Sequence, residues 1–255
     1  MIYELTLISV TALVLAGLFA GFVNTLAGGG SMLTLPALMM LGMPADVANA
    51  TNRVGVLLQS AEGVRGFHAN EKLDYQAIGP ILVPTLLGAL CGSLAASYLP
   101  VFLLKPVLLG SMILIALITL LKPSVVAPPE GTIPFKLKQR PSAFLGLFLA
   151  GVYGGFVQAG VGFMLIAALA GGLRYDLVRT NALKMVCTAI FSVVALAVFL
   201  ARDQVLWIPG LILAVGMVAG ASLSVRFAIS VSQNTLKWIL FVMVTLSCGG
   251  AMFFG

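Results

Sequence analysis

Charge is what this chain has least of. Only 9% of its 255 residues are Asp, Glu, Lys or Arg, where a soluble domain carries roughly 25%. So few charges cannot solvate the surface of a folded chain this long. That excludes a soluble enzyme and a disordered chain, and it excludes a nucleic-acid binder despite the formal net charge of +6. Histidine is scarcer still: His68 is the single one, in the polar stretch 65–74, which reads as a solvated loop. A serine such as Ser31 therefore has no base within reach inside any apolar stretch, as nucleophilic hydrolysis would need. The chain reads as no enzyme. The three cysteines, Cys91, Cys187 and Cys248, are widely separated in apolar surroundings and read as packing residues. No His/Cys/Asp/Glu cluster offers a metal site, and no GxxxxGK[ST] loop offers a nucleotide site; no cofactor is expected. The first residues lack the positive segment of a cleavable signal.

Apolar length is what the chain has instead. Hydrophobic residues make up 60%, and the mean hydropathy is +1.12. At about 20 residues per crossing, the chain has room for roughly eight to ten spans and little else.

The charge-free intervals 5–45, 75–104, 106–121, 141–173, 185–201, 204–225 and 238–255 mark where these spans lie. Most suit one tilted helix. Two are too long for that: 5–45 and 141–173, of 41 and 33 residues. Each is interrupted by glycine, at Asn24-Thr25-Leu26-Ala27-Gly28-Gly29-Gly30-Ser31 and at Gln158-Ala159-Gly160-Val161-Gly162. The apolar segments that follow, 32–42 and 163–173, cover only about half of a ~30 Å hydrocarbon core.

The two anomalies also match each other. AGLFAGFVN (16–24) and AGVYGGFVQ (150–158) align at an offset of 134 with five identities in nine. Thr51-Asn52 corresponds to Thr180-Asn181 after a short gap. The expected fold is an all-α polytopic transmembrane helical bundle of two inverted repeats, each opening with a broken or re-entrant helix. The N-terminal repeat is 1–121, the linker 122–141 and the C-terminal repeat 142–255. The linker holds five of the twelve prolines and four of the fourteen basic residues. By the positive-inside rule it is cytoplasmic and the termini lie outside, which puts 11 of 14 basic residues on or near the inner face and leaves Arg53, Lys105 and Arg202 outside. Tyr98, Trp207 and Trp238 read as interfacial anchors.

Unwinding a helix in lipid frees backbone groups that are tolerated only against protein or a wet cavity. The half-helices starting near Ser31 and Phe163 would aim their positive ends at such a cavity, which suits an anion. Gly28, Gly29, Gly30, Gly160 and Gly162 would let a ligand approach the backbone. Asn24, Thr25, Ser31, Thr34 and Gln158 could donate neutral hydrogen bonds. Gly17, Gly21, Gly151 and Gly155 have the spacing of a helix-packing face. Thr51 and Thr180 suit helix N-caps as well as ligand contact, and their neighbours Asn52 and Asn181 lie beside them. Arg53 and Lys184 either supply the fixed positive charge of an anion site or snorkel to headgroups. Glu62 is the one acid the spans offer for proton coupling, with Gln59 on the same helix.

The run GFVNTLAGGGSMLTLPALMMLG (21–42) leading to ATN (50–52), with GGFVQAGVGFML (154–165) leading to RTN (179–181), resembles the sulfite exporter TauE/SafE family, also called the toluene-sulfonate uptake permease family. The likeness covers nearly the whole chain. Its second motif is the looser one, since Gln158 and Val161 stand where many relatives have glycine. The resemblance implies a plasma (inner) membrane carrier of sulfite, sulfoacetate or other sulfonates. The function expected is secondary transport of such an anion, as an exporter, by alternating access of the repeats. A passive anion channel and an uptake permease for aryl sulfonates are the alternatives. The expected partners are a small anionic substrate, the lipid bilayer, a coupling ion (proton or sodium) and, as an open alternative, a second copy of the chain.

Overall fold

The computed structural model describes residues 5–121, 128, 132–232, 235, 236, 238, 239 and 242. Most of the expected 238–255 span, Cys248, and residues 122–127 and 129–131 of the linker lie outside the described residues. Among the described residues the secondary structure is entirely helical: α1 (Leu7–Leu26), α2 (Ser31–Met40), α3 (Ala45–Ala69), α4 (Tyr75–Tyr98), α5 (Val101–Leu121), α6 (Pro141–Phe156), α7 (Val161–Ile166), α8 (Leu177–Leu200) and α9 (Trp207–Ser230). A π-helical turn, Ala167–Gly172, continues α7. Four of these helices, α1, α4, α8 and α9, are long and apolar enough to cross a membrane.

Local chemistry sets the helix ends. Thr6 and Ser9 form a reciprocal cap that starts α1. The Asp74 carboxylate accepts from the amides of Gln76 and Ala77 at the start of α4, and Asp176 accepts from Arg179 N at the start of α8. Helix α2 stops at Gly42, whose φ of +88° is the left-handed cap that glycine provides. Two sequence expectations change here. Thr51 lies inside α3 and Thr180 inside α8, so neither is an N-cap: Pro44 opens α3 earlier, and Asp176 already occupies the cap of α8. Helix α3 also runs on to Ala69, which puts His68 in its last turn, hydrogen-bonded to the Tyr75 hydroxyl.

Each long charge-free interval is a broken pair. Helix α1 is followed by the break 27–30 and the 10-residue α2; α6 is followed by the break 157–160 and the short α7 with its π turn. At 1.5 Å per residue α2 is about 15 Å long, half a hydrocarbon core.

Packing repeats between the two parts of the chain. Helix α1 lies against α9 and α6 against α4 at backbone contact. A Cβ on Gly216 or Gly220 of α9 would fall on the carbonyls of Val14 or Leu18; one on Gly88 or Gly92 of α4 would fall on those of Phe148 or Val152. These pairs differ by 128 residues in the glycines and by 134 in their targets. Gly17 and Gly21 of α1, like Gly151 and Gly155 of α6, pack in the same way, as their four-residue spacing predicts. Helices α3 and α8 pack on each other in the centre, α3 also on α9 and α8 also on α4. Outward faces remain apolar, with Phe19 63% and Val215 65% exposed, as lipid requires.

Candidate functional site

The first break meets the first turn of α7, directly after the second break. Gly28 and Gly162 abut so closely that a Cβ on either would fall on the other's Cα. Gly28 also needs its glycine for φ +92°, and Gly160 has φ +80°. Gln158 adopts φ +69° without being glycine. Gly29, Gly30 and Ser31 are buried around this contact.

At each break the last turn of the preceding helix leaves carbonyls without amide partners. The amides of Ala27 and Gly28 both donate to Val23 O, at 2.7 and 3.2 Å, so the carbonyls of Asn24 and Thr25 are left over. Those of Val157 and Gln158 both donate to Tyr153 O, at 2.8 and 3.2 Å, so Gly154 and Gly155 are left over. A buried cation from the other part of the chain serves each pair. Lys184 Nζ in α8 donates to Asn24 O at 3.0 Å, Thr25 O at 2.8 Å and Asn181 Oδ1 at 2.8 Å. Arg53 in α3 donates through Nη1 to Gly154 O and Gln158 Oε1, and through Nη2 to Gly155 O at 2.9 Å and Asn49 Oδ1 at 3.4 Å. Its guanidinium also stacks 5.6 Å from the centroid of Phe199. Both side chains are fully buried, so snorkelling to headgroups is ruled out as their role. Cations at helix C-termini are favourable by charge as well as by hydrogen bonding.

A third cluster ties α2 to α3. Thr34 Oγ1 donates to Asn52 Oδ1 at 2.6 Å, and Asn52 Nδ2 donates to Ser31 Oγ at 3.1 Å. Gln158 Nε2 reaches Ser192 Oγ at 3.2 Å, joining the second break to α8. Lys184 and Ser192 are eight positions apart, so their backbones lie about 12 Å apart along α8.

Most of the expected residues therefore converge. Asn24, Thr25, Asn181 and Lys184 form one group, Arg53 and Gln158 a second, Ser31 and Asn52 a third, with Gly28, Gly29, Gly30, Gly160 and Gly162 at the breaks. Two do not join them. Thr51 Oγ1 accepts from Leu206 N at 3.0 Å, before α9, and Thr180 Oγ1 donates to Tyr175 O at 3.3 Å. Glu62 is set apart too: it forms a two-point ion pair with Arg65, whose side chain is 75% exposed, so it is no free acid inside the bundle. Sequence reasoning missed Asn49, one turn before Arg53, a spacing that could have revealed it. Ser192 carried no sequence signal.

Several buried polar atoms have no partner among the described residues: Thr25 Oγ1, Arg53 Nε, Asn181 Nδ2, Ser60 Oγ and both amide atoms of Gln59. Among the described residues the two buried cations hydrogen-bond only to uncharged oxygens, while Asp176 is paired with Arg179 and Glu62 with Arg65. Burying charge without compensation is costly. Free donors beside unneutralised cations are what an anion needs.

The family description "Sulfite exporter TauE/SafE" matches residues 13–250. The chain belongs to the sulfite exporter TauE/SafE family. Three relatives align over nearly their full length. A "Probable membrane transporter protein" of Haemophilus influenzae is 27% identical over 231 residues, 89% of this chain and 88% of that one. "Probable membrane transporter protein ORF9" of a Sinorhizobium species is 30% identical over 236 residues, 91% and 87% of the two chains. "Probable membrane transporter protein YfcA" of Escherichia coli K12 is 26% identical over 243 residues, 93% and 89%. As a TauE/SafE protein the chain is a membrane transporter, and a transporter needs a small-molecule site within the bilayer.

Proposed function

We propose that this transporter is a secondary carrier of small anions, sulfite or a sulfonate such as sulfoacetate, working in the export direction across the plasma membrane. The observation that carries the reading is the pair of buried cations, Arg53 and Lys184, each without a carboxylate and each bound to the opposite helix break. An anion entering between the breaks would offset charge that the protein leaves uncompensated. The site comprises Asn24, Thr25, Gly28, Gly29, Gly30, Ser31, Asn52, Arg53, Gln158, Gly160, Gly162, Asn181 and Lys184; Thr51 and Thr180 lie just outside it, bonded to Leu206 N and Tyr175 O.

The carrier alternates access through two inverted repeats, 1–121 and 142–255, joined by the linker 122–141. Matched glycine contacts at fixed offsets and the abutment of Gly28 on Gly162 support this, because equivalent residues meet one another at a two-fold axis. The linker is on the cytoplasmic side and the termini are outside.

Uptake of radiolabelled sulfite by proteoliposomes tests the reading. Saturable flux with counterflow, competed by sulfoacetate, is expected. Linear flux without counterflow would mean a passive channel, and no flux with any sulfur oxyanion would sink the substrate class.

A further inference from the structure

Lys184 is a positive charge in a place built for a small cation. Its Nζ is surrounded by two backbone carbonyls at the C-terminal end of α1 and by one side-chain amide oxygen, all at 2.8–3.0 Å. Thr25 also carries a buried hydroxyl oxygen with no partner. Carbonyls at the unwound end of a discontinuous helix are the ligands by which membrane carriers hold a sodium ion or a proton. In this chain a side chain delivers the charge.

Arg53, at the other break, differs in kind. A guanidinium keeps its proton in any protein, whereas an amine can release one. We infer that Lys184 is the carrier's own coupling cation: its ammonium occupies a monovalent-cation site, and one proton leaves and rejoins Nζ in each cycle. This rests on the carrier reading above. The proton passes to water entering the opened cavity, leaving a neutral amine with two N–H donors instead of three. The charge attraction to the end of α1 is lost, so α1 can part from α8. On reprotonation the contact reforms.

The ionisable surroundings of Lys184 agree with this. Helices α1 and α7 and the π turn carry no ionisable residue. Helices α4 and α6 bring only Cys91, Tyr75, Tyr98 and Tyr153. Helix α3 brings Asp46, Arg53, Glu62, Arg65 and His68, with Glu62 held by Arg65. On α8 itself are Arg179, paired with the N-cap Asp176, and the thiol Cys187. Among the described residues no carboxylate is bonded to Nζ; the carbonyl oxygens of Asn24, Thr25 and the Asn181 side chain hold its charge in place.

Two arms test the inference. The first needs no substrate. In detergent, sodium in place of choline should raise the melting temperature of Lys184→Ala by several degrees, because an emptied oxygen site binds the ion only in the folded state. The wild-type protein should not respond. Lys184→Gln carries the same test if the alanine variant fails to fold. A variant indifferent to sodium, or a wild-type protein that responds equally, overturns the inference. The second arm uses Lys184→Arg, which keeps the charge but cannot release it. It should melt near the wild-type temperature and lose about tenfold or more of the stimulation of sulfite flux by a pH gradient, within the range of coupling between linked sites. Full retention of that stimulation also overturns it. If wild-type protein moves no sulfite under any gradient, the substrate reading fails, and the sodium arm still decides the role of Lys184.

Discussion

Arg53 and Lys184 do the same structural task in opposite parts of the chain, and they do it with different chemistry. Each crosses from a central helix to the last turn of the broken helix in the other part, and each takes the two carbonyls that the break leaves over. Arg53 adds Gln158 and Asn49 and keeps one donor, Nε, unpartnered. Lys184 has all three of its donors engaged, with Asn181 as the third acceptor. A guanidinium is a planar fork of permanent charge, whereas an ammonium is compact and titratable. The fixed charge with a spare donor suits a standing anion contact; the saturated, releasable charge suits a moving part.

The comparison is broken most severely by removing one cation at a time. Arg53→Leu orphans the carbonyls of Gly154 and Gly155 together with the amide oxygens of Gln158 and Asn49, at about 1–3 kcal/mol for each buried acceptor. Lys184→Leu orphans Asn24, Thr25 and Asn181 at a similar cost for each. Both variants should melt well below the wild-type protein, with the arginine variant lower because four acceptors lose their donor against three. Thermal unfolding in detergent reads the order. A leucine at either position that leaves the melting temperature unchanged would refute the cross-capping account.

A smaller effect separates the two glycines at the centre. Gly28→Ala and Gly162→Ala each put a Cβ on the other's Cα, an overpacking of about 1–3 kcal/mol. Only Gly28 has a positive φ, which adds about 1–2 kcal/mol for a residue with a Cβ. Gly28→Ala should therefore be the less stable variant, and equal melting temperatures would show that backbone strain is not what distinguishes these two glycines.

These contrasts also explain what the sequence revealed. The broken helices were legible because a charge-free interval of 41 residues cannot be one crossing, and the glycines locate the break. Arg53 and Lys184 stood out because charge within spans is rare. Which break each of them would serve was not legible: four of the acceptors are backbone carbonyls, which carry no residue signature. Thr51 and Thr180 misled as caps because Thr-Asn before an apolar run resembles a helix start, while Pro44 and Asp176 had already begun those helices one or two turns earlier. Glu62 looked intramembrane by position, but Arg65 three residues on pairs with it and carries that charge pair out to an exposed guanidinium.

The finest contrast lies within the matched Thr-Asn pairs. Thr51 supplies an acceptor to Leu206 N at the start of α9, at 3.0 Å, where a helix N-terminus has no amide acceptor of its own. Thr180 only donates to Tyr175 O, at a longer 3.3 Å. Thr51→Ala should cost about 1 kcal/mol, the worth of one net hydrogen bond, and Thr180→Ala less. Neither hydroxyl bonds to a break or to a cation, so flux per folded molecule should be unchanged in both. Their neighbours behave differently, because Asn52 ties Ser31 and Thr34 to α3 and Asn181 holds Lys184. Asn52→Ala and Asn181→Ala should lower flux even where the melting temperature barely moves. If the threonine variants lose flux as much as the asparagine variants do, the boundary of the site lies one residue further out along α3 and α8 than these contacts place it.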